Sequence, residues 1–577
     1  MASSSIERAA AVYCRGALLD AVQRARLFDD AKHFVDMPLR RDPEEVLKAF
    51  DELSSEDQAD PVKLREFVDL HFEPPDAELD PYVFYGWPDE PPFLAAGLVA
   101  DPALCDFARA LHRLWPTLCR VTKPAVAATP WRYSALPRAH PMVLPGGRFR
   151  ETYYWDSLWI VHGLLACGLA DLAKGLVQNL LDDVDHFGFV PNGGRIYYLN
   201  RSQPPLLCAM VTAVERALDE AVSKEWLPKA VATLKKEYAY WMGDEHGHAV
   251  RLGEFTLNRY NANWDAPRPE SYWQDFDTAA GDAKVYRELA SVAESGWDFS
   301  SRWTRAGGLA EGGAEAFRLK DSQATQVLPT DLNAFLYDFE VTMAELCEAV
   351  ATGRRPFAQA GGASAPAEGL SDPSAVAFTK AAKQRRLAFD RLFWRPALGR
   401  WADVWLPEGF CGGALDEQQV LDGDDAGRRA PNCADFGPAL WAGLATSEQA
   451  AASIVALQRS GLLGVGGAAT TATNTGEQWD APNGWPPLQG LLIEGLERCG
   501  GEPGRTLAAD LAQRWVGGCY AAWRATGFMH EKYSTTDFGS GGAGGEYEPQ
   551  VGFGWSNGGV LQLLVTHGKH LVAPTKD

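Results

Sequence analysis

After Ser157 the apolar residues Val161, Leu165, Leu169, Leu172, Leu176 and Leu180 recur in steps of three and four. That spacing lines them along one face of an α-helix and would scatter them over both faces of a strand. The pattern constrains the fold strongly because the chain repeats it. Similar segments begin near Pro205, Pro228, Thr278, Asp331, Val376, Ser447, Pro487 and Thr506, and another spans residues 5–26. Pro, Ser, Thr or Asp opens several of them, and Gly follows others, as at Gly296 and Gly461. This is the usual punctuation of helices. Strand-like alternation never runs long enough for a large sheet, and no repeat of fixed period occurs.

An amphipathic helix must bury its apolar stripe against a partner. Roughly a dozen of them, joined by connections rich in Gly, Pro, Asn and Trp, predict an all-α fold of helical hairpins closed into a ring, with long functional loops at one end. At 577 residues the chain suits several domains or one large closed architecture. We expect a single unit over 1–577, with an N-terminal helical extension over about 1–75. A Gly-, Ala-, Ser- and Pro-rich stretch at 353–375 reads as a flexible surface insertion.

The net charge of −22 comes without any dense Lys/Arg run, which argues against a nucleic-acid partner. It also disfavours anionic membranes and phosphorylated ligands and fits a neutral one. The ten cysteines include no Cys-x-x-Cys pair and no zinc spacing, so free, mostly buried thiols are expected, and no metal. His140, His162 and His186 also lack metal spacing. The glycines after Asp537 are not followed by Gly-Lys-Ser/Thr, so no phosphate cradle and no cofactor are implied. The first residues lack the apolar core of a signal peptide, and no apolar run is long enough to span a bilayer. A soluble monomer follows, with a cytoplasmic location favoured and an extracellular one left open.

Residues 145–159 combine aromatic faces, Arg148, Arg150, Glu151 and Asp156 behind a Gly-Gly turn. Burying such charges unpaired is costly, whereas a cleft gripping a polyhydroxylated ligand uses both rings and charged forks. A second stretch of the same character is Gln478-Trp-Asp-Ala-Pro-Asn-Gly-Trp-Pro-Pro487. Together these closely resemble the two signature motifs of the trehalase family, inverting hydrolases of trehalose. The resemblance runs from about residue 28 to about 565. It implies an (α/α)6 barrel, trehalose as substrate and two carboxylic acids as the catalytic pair.

Inverting hydrolysis needs one carboxylic acid to protonate the leaving oxygen and one carboxylate to activate water on the opposite face of the ring. Asp298 lies in Ala293-Glu-Ser-Gly-Trp-Asp-Phe-Ser-Ser-Arg-Trp303, flanked by Trp297 and Phe299. Taken alone it would read as a cap for a helix starting at Ser300. The segment resembles the family motif that carries the general acid, and apolar neighbours would keep it protonated. Glu531, in Met529-His-Glu-Lys-Tyr533, would alone read as a solvated surface residue. It precedes Asp537-Phe-Gly-Ser-Gly-Gly-Ala-Gly-Gly-Glu-Tyr547, which resembles the family's lid, and so Glu531 matches the general base. Ser540 and Ala543 interrupt a glycine run that family members usually keep unbroken.

By the same resemblance the substrate contacts are Arg148, Trp155, Asp156, Asn192, Arg201, Ser202, Gln203, Arg268, Pro269, Glu270, Gly296 and Glu546. Trp479 and Trp485 either wall the cleft or pack beneath its loops. Asn200-Arg-Ser202 is formally a glycosylation sequon, but a glycan there would block the cleft. Two other readings fit the scaffold. One is a related α-glucosidase or phosphorylase, the latter requiring a basic phosphate site. The other is a catalytically inert sugar sensor, which would tolerate loss of either carboxyl group.

Overall fold

The computed structural model describes residues 3–357, 369–423 and 425–575. Its frame is two concentric layers of helices. The outer layer is α1 (Pro102–His112), α3 (Ala170–Phe187), α5 (Glu220–Met242), α7 (Pro373–Ala388), α9 (Ser447–Arg459) and α11 (Gly501–Thr526). Between them in sequence run the inner helices α2 (Asp156–Ala166), α4 (Leu207–Ala217), α6 (Thr330–Thr352), α8 (Gly437–Trp441), α10 (Pro486–Cys499) and α12 (Gly554–His567). Each inner helix packs on the next, and α12 returns to pack on α2, which closes the ring as an (α/α)6 barrel.

Composition explains which helices go inside. An outer helix needs one apolar stripe, but an inner helix touches neighbours on every side and must be apolar nearly all round. Helix α6 is buried along almost its whole length, from Thr330 to Ala349. Ring closure depends on backbone proximity. A Cβ placed on Gly163 of α2 would come within 2.5 Å of the Gly558 Cα on α12, so the two helices cross where neither carries a side chain.

The alternation sorts the connections. Inner helices pass to outer ones over short links such as 167–169 and 218–219, with 353–372 the exception, whereas every return from outer to inner takes a long loop, 113–155, 188–206, 243–329, 389–436, 460–485 and 527–553. All six long loops gather over the N-terminal ends of the inner helices. Strands are short, and among the described residues no sheet exceeds three of them. Helices from Ser3–Tyr13 to Pro61–His71 form a second apolar cluster around Val12, Leu19, Phe34 and Val68, which packs on Tyr153 and Ile196–Tyr198 of the first two long loops.

Several helix boundaries differ from the sequence expectation. The apolar run after Ser157 is not one helix. It breaks at Gly168 (φ 76°), and the two halves become the hairpin α2–α3, so its regular spacing reports burial on both sides of a turn. The N-terminal segment 5–26 likewise splits at Gly16 (φ 106°). Pro228 lies inside α5, which starts at Glu220, and the segment assigned to Thr278 starts at Ala283 behind the Asp282 cap. The insertion at 353–375 falls largely on residues 358–368, outside the described residues. The ten cysteines are all free, six of them buried and Cys411 exposed.

Candidate active site

Five of the six long loops close around one pocket of about 630 Å3. Arg148, Trp155, Asp156, Asn192, Arg201, Gln203, Arg268, Glu270, Gly296, Asp298, Glu531 and Glu546 all line it. Residues more than 380 positions apart in sequence thus share one chamber. Ser202 and Pro269 do not line it. The Ser202 hydroxyl donates to the Val190 carbonyl 2.7 Å away, and its amide donates to Glu294, so it braces the loop from behind. Pro269 opens the short turn that presents Glu270.

Asp298 follows the helix Ala283–Glu294, whose chain reverses at Gly296 (φ 77°). A Cβ at Gly296 would lie 2.8 Å from the Trp155 indole, so the ring and the turn exclude any side chain there. The Asp298 side chain reaches the pocket surface and caps no helix: Ser300 supplies the cap, its Oγ accepting from the Arg302 amide 3.1 Å away. Burial raises the Asp298 pKa from the usual 3.8 to about 6, against the lowering effect of Arg268 and Arg201. The carboxyl is therefore a proton donor in weakly acidic solution.

Glu531 is only 2% exposed, far from a solvated surface residue. The Tyr547 hydroxyl donates to its Oε1 at 2.7 Å, and the Lys532 ammonium stands 3.6 Å from its Oε2. The Trp555 indole N–H fixes the Glu531 backbone carbonyl at 2.9 Å. Asp156, the first residue of α2, completes a set of three carboxyl groups. Burial holds its pKa well above the usual range, and the charges of Glu531 and Asp298 reinforce that. Glu546 is pushed up to about 7, chiefly by burial, although Arg268 opposes the shift.

The arginines differ from the simplest expectation, in which their forks lie open for ligand hydroxyls. Arg148 is gripped by both oxygens of Asp30, each at 2.7 Å. Arg268 is gripped by Asp275 at 2.9 and 2.7 Å and also reaches Glu546 at 3.2 Å. Arg201 donates to Glu270 at 2.6 Å and to Asn192 at 3.1 Å. Buried guanidinium groups need such partners, and the pairing locks each fork in one orientation. Elsewhere in 145–159 charge serves packing: Glu151 accepts from Lys32 at 2.9 Å and Arg195 at 2.7 Å, beneath Tyr153.

Trp479 and Trp485 do both things proposed for them. They stack on each other with centroids 3.9 Å apart, and both line the pocket beside Trp155 and Trp555. The second motif also carries a scaffold role. Asp480, fully buried, accepts from Ser300, from Ser301 and from Thr471, clamping the segment that follows Asp298. Sequence reasoning missed Phe149, Tyr153, Tyr198, Ser271, Tyr547, Phe553 and Trp555 in the lining, and Asp30 and Asp275 behind it. Tyr547 was legible, being next to Glu546. Asp30, more than a hundred residues from Arg148, had no local signal.

The glycine loop lies closed over the pocket. Asn483 holds it through paired bonds with the Ala543 backbone at 2.8 and 3.1 Å, and Glu546 and Tyr547 at its end turn inward to Arg268 and Glu531. Ala543 is exposed, so its methyl group interrupts the glycine run without touching the site.

The trehalase family model matches residues 26–568. The chain is 38% identical to a probable trehalase of Oryza sativa subsp. japonica, over 93% of this chain and 92% of that one. It is 36% identical to the trehalase of Homo sapiens, over 98% and 91%. It is also 38% identical to a periplasmic trehalase of Xanthomonas axonopodis pv. citri, over 95% and 85%. Among solved structures, neutral trehalase Nth1 of Saccharomyces cerevisiae superposes with a TM-score of 0.55 at 26% identity, covering 74% of this chain and 73% of that one.

Proposed function

The chain belongs to the trehalase family and is an α,α-trehalase, and from that premise we propose that it hydrolyses trehalose with inversion, Asp298 acting as general acid and Glu531 as general base. One observation carries the assignment. Two carboxyl groups face one pocket in different surroundings: Asp298 is a buried acid with its pKa raised to about 6, and Glu531 has an ammonium and a donating phenol beside it. Carboxyl groups kept apart in this way divide the acid and base roles.

In the reaction Asp298 gives its proton to the glycosidic oxygen as the bond to the anomeric carbon breaks. Glu531 takes a proton from a water whose oxygen bonds to the opposite face of that carbon. Its second oxygen has only two long contacts, 3.4 Å from the Gln550 backbone N–H and 3.6 Å from the Lys532 ammonium, which leaves it room to accept from a water in the pocket. Asp156, whose pKa burial raises, faces the same pocket and can bond one sugar hydroxyl. Arg148, Arg201, Arg268 and Glu270 fix the other hydroxyls, and the tryptophans cover the apolar ring faces. Both candidate carboxyl groups, Asp298 and Glu531, face the pocket, which argues against a phosphorylase, where a basic phosphate site would stand in place of the water-activating carboxylate. The pocket is complete within one chain, which supports a monomer as the working unit. Among the described residues no helix is long and apolar enough to cross a membrane.

Inversion has a direct readout. The leaving glucose keeps its α configuration and the attacked one becomes β, so rapid NMR should find one β anomer per α anomer before mutarotation. An all-α first product would exclude the mechanism.

The Asp30–Arg148 pair predicts a binding defect. Asp30→Ala frees a fork that the pocket needs in one orientation. We expect KM for trehalose to rise about tenfold, equivalent to about 1.4 kcal/mol, with kcat changed less. Steady-state kinetics checks this, and an unchanged KM would show that Arg148 holds its place without Asp30.

A further inference from the structure

Lys532 follows the proposed base and is fully buried, which is unusual for a lysine. Its ammonium donates to Gln478 Oε1 at 2.9 Å, stands 3.6 Å from Glu531 Oε2 and lies 5.0 Å from the centre of the Trp485 ring. The amide of the same Gln478 donates in the other direction, to the backbone carbonyl of Asp298. A chain of contacts therefore runs from the base, through Lys532 and Gln478, to the backbone of the acid.

Two glycines of the lid lie against this pair. A Cβ on Gly542 would fall 2.8 Å from the Lys532 stem, and one on Gly545 would fall 2.7 Å from Gln478 Oε1. Gly541 and Gly544 are seated as tightly, on the His530 ring and the Gly476 carbonyl, whereas Ala543 among them is exposed. Lid closure thus removes water from Lys532 and leaves Glu531 and Gln478 as its polar partners. An ammonium in such surroundings interacts far more strongly with a nearby carboxylate than one in water.

We propose that Lys532 and Gln478 form a positioning strut that fixes the proposed base loop against the acid loop and supplies the base with its counter-charge when the lid is shut. The proposal rests on the assignment of Asp298 and Glu531. The charged and titratable groups that face Glu531 are Lys532 beside it, Tyr547 from the lid, Asp156 at the head of α2 and Asp298 from the third long loop. Among these Lys532 is the one cation. Neither strut residue need touch the sugar.

Three variants test it: Lys532→Met, which keeps the stem and removes the charge, Lys532→Arg, which keeps the charge, and Gln478→Leu, which cuts the link and keeps the cation. We expect Lys532→Met to lower kcat for trehalose about 100-fold, the scale of a small misplacement of reacting groups, with KM changed by no more than about threefold. The acidic limb of its kcat–pH profile should move up, because removing a cation beside a carboxylate disfavours the charged form. Gln478→Leu should lower kcat about tenfold or more without moving that limb, and Lys532→Arg should restore the limb. The double variant Lys532→Met/Gln478→Leu should be no slower than Lys532→Met, because one unit is broken once. A Lys532→Met enzyme with kcat within about fivefold of the parent and an unmoved limb overturns the proposal, as do losses that multiply in the double variant. If Lys532→Met does not fold, as judged by near-UV circular dichroism, Gln478→Leu decides alone, and parental kcat in it overturns the strut. Glu531→Gln separates the two levels. If it is inactive while the strut variants are fully active, only the strut fails; if it keeps full turnover, the assignment of the base fails first.

Discussion

Replacing Asp298 by Asn is expected to lower kcat for trehalose by about 10³- to 10⁴-fold, the scale of a lost general acid, with KM changed little. Asn has nearly the same shape but cannot give a proton to the glycosidic oxygen. The backbone contacts that hold the residue, from Gln478 to its carbonyl and through Asp480 to the next loop, do not involve the side chain, so the fold should persist. The decisive control is α-glucosyl fluoride, whose leaving group needs much less protonation. Asp298→Asn should recover most of its activity on that substrate. Equal loss on both substrates would assign Asp298 to binding or to the base step.

The same residue sets a pH dependence. Its carboxyl group has a pKa raised to about 6 because burial disfavours the charged form, and the protonated form is the competent one. Activity governed by this group is therefore intact below pH 6 and falls as pH rises through that value. The alkaline limb of kcat/KM should reflect it in the parent and be absent from the fluoride reaction of Asp298→Asn. A limb unchanged in the variant would belong to another group, with Glu546, at about 7, the first to examine.

Replacing Glu531 by Gln is expected to lower kcat by about 10³-fold on trehalose and on α-glucosyl fluoride alike. Both reactions need water activated, whatever the leaving group. The Gln side chain can still accept from Tyr547, so lid closure should survive, and KM for trehalose should stay close to the parent value. Comparable activity of Glu531→Gln on the fluoride would reverse the two roles, and near-parental turnover on trehalose would remove Glu531 from catalysis. The contrast between the two variants separates acid from base without a bound ligand.

Much of this architecture was legible from local chemistry. Helical spacing showed a chain dominated by helices, because burying one face imposes the 3.6-residue period wherever the helix sits. It could not distinguish one long helix from the hairpin α2–α3, since both sides of the turn bury residues and the period continues across Gly168. The site motifs stood out because aromatic rings and charges packed together have no cheap place in a core. Their division of labour was less legible. Asp480 looks as suited to a ligand as Asp156, yet it is a clamp, because Ser300, Ser301 and Thr471 surround it.

By itself the sequence determined the helical class, the resemblance of its motifs to one family of sugar hydrolases and the carboxyl groups that could act. Those are properties of short segments, set by period, side-chain chemistry and order along the chain. Only the tertiary structure decided that loops at 148, 201, 268, 298, 479 and 531 open into one chamber, that Asp30 and Asp275 orient its arginines, and that Lys532 is buried against the base instead of solvated. Closing the ring brings together residues hundreds of positions apart. Burial, charge partners and the resulting pKa values follow from that convergence, and no short stretch of sequence contains it.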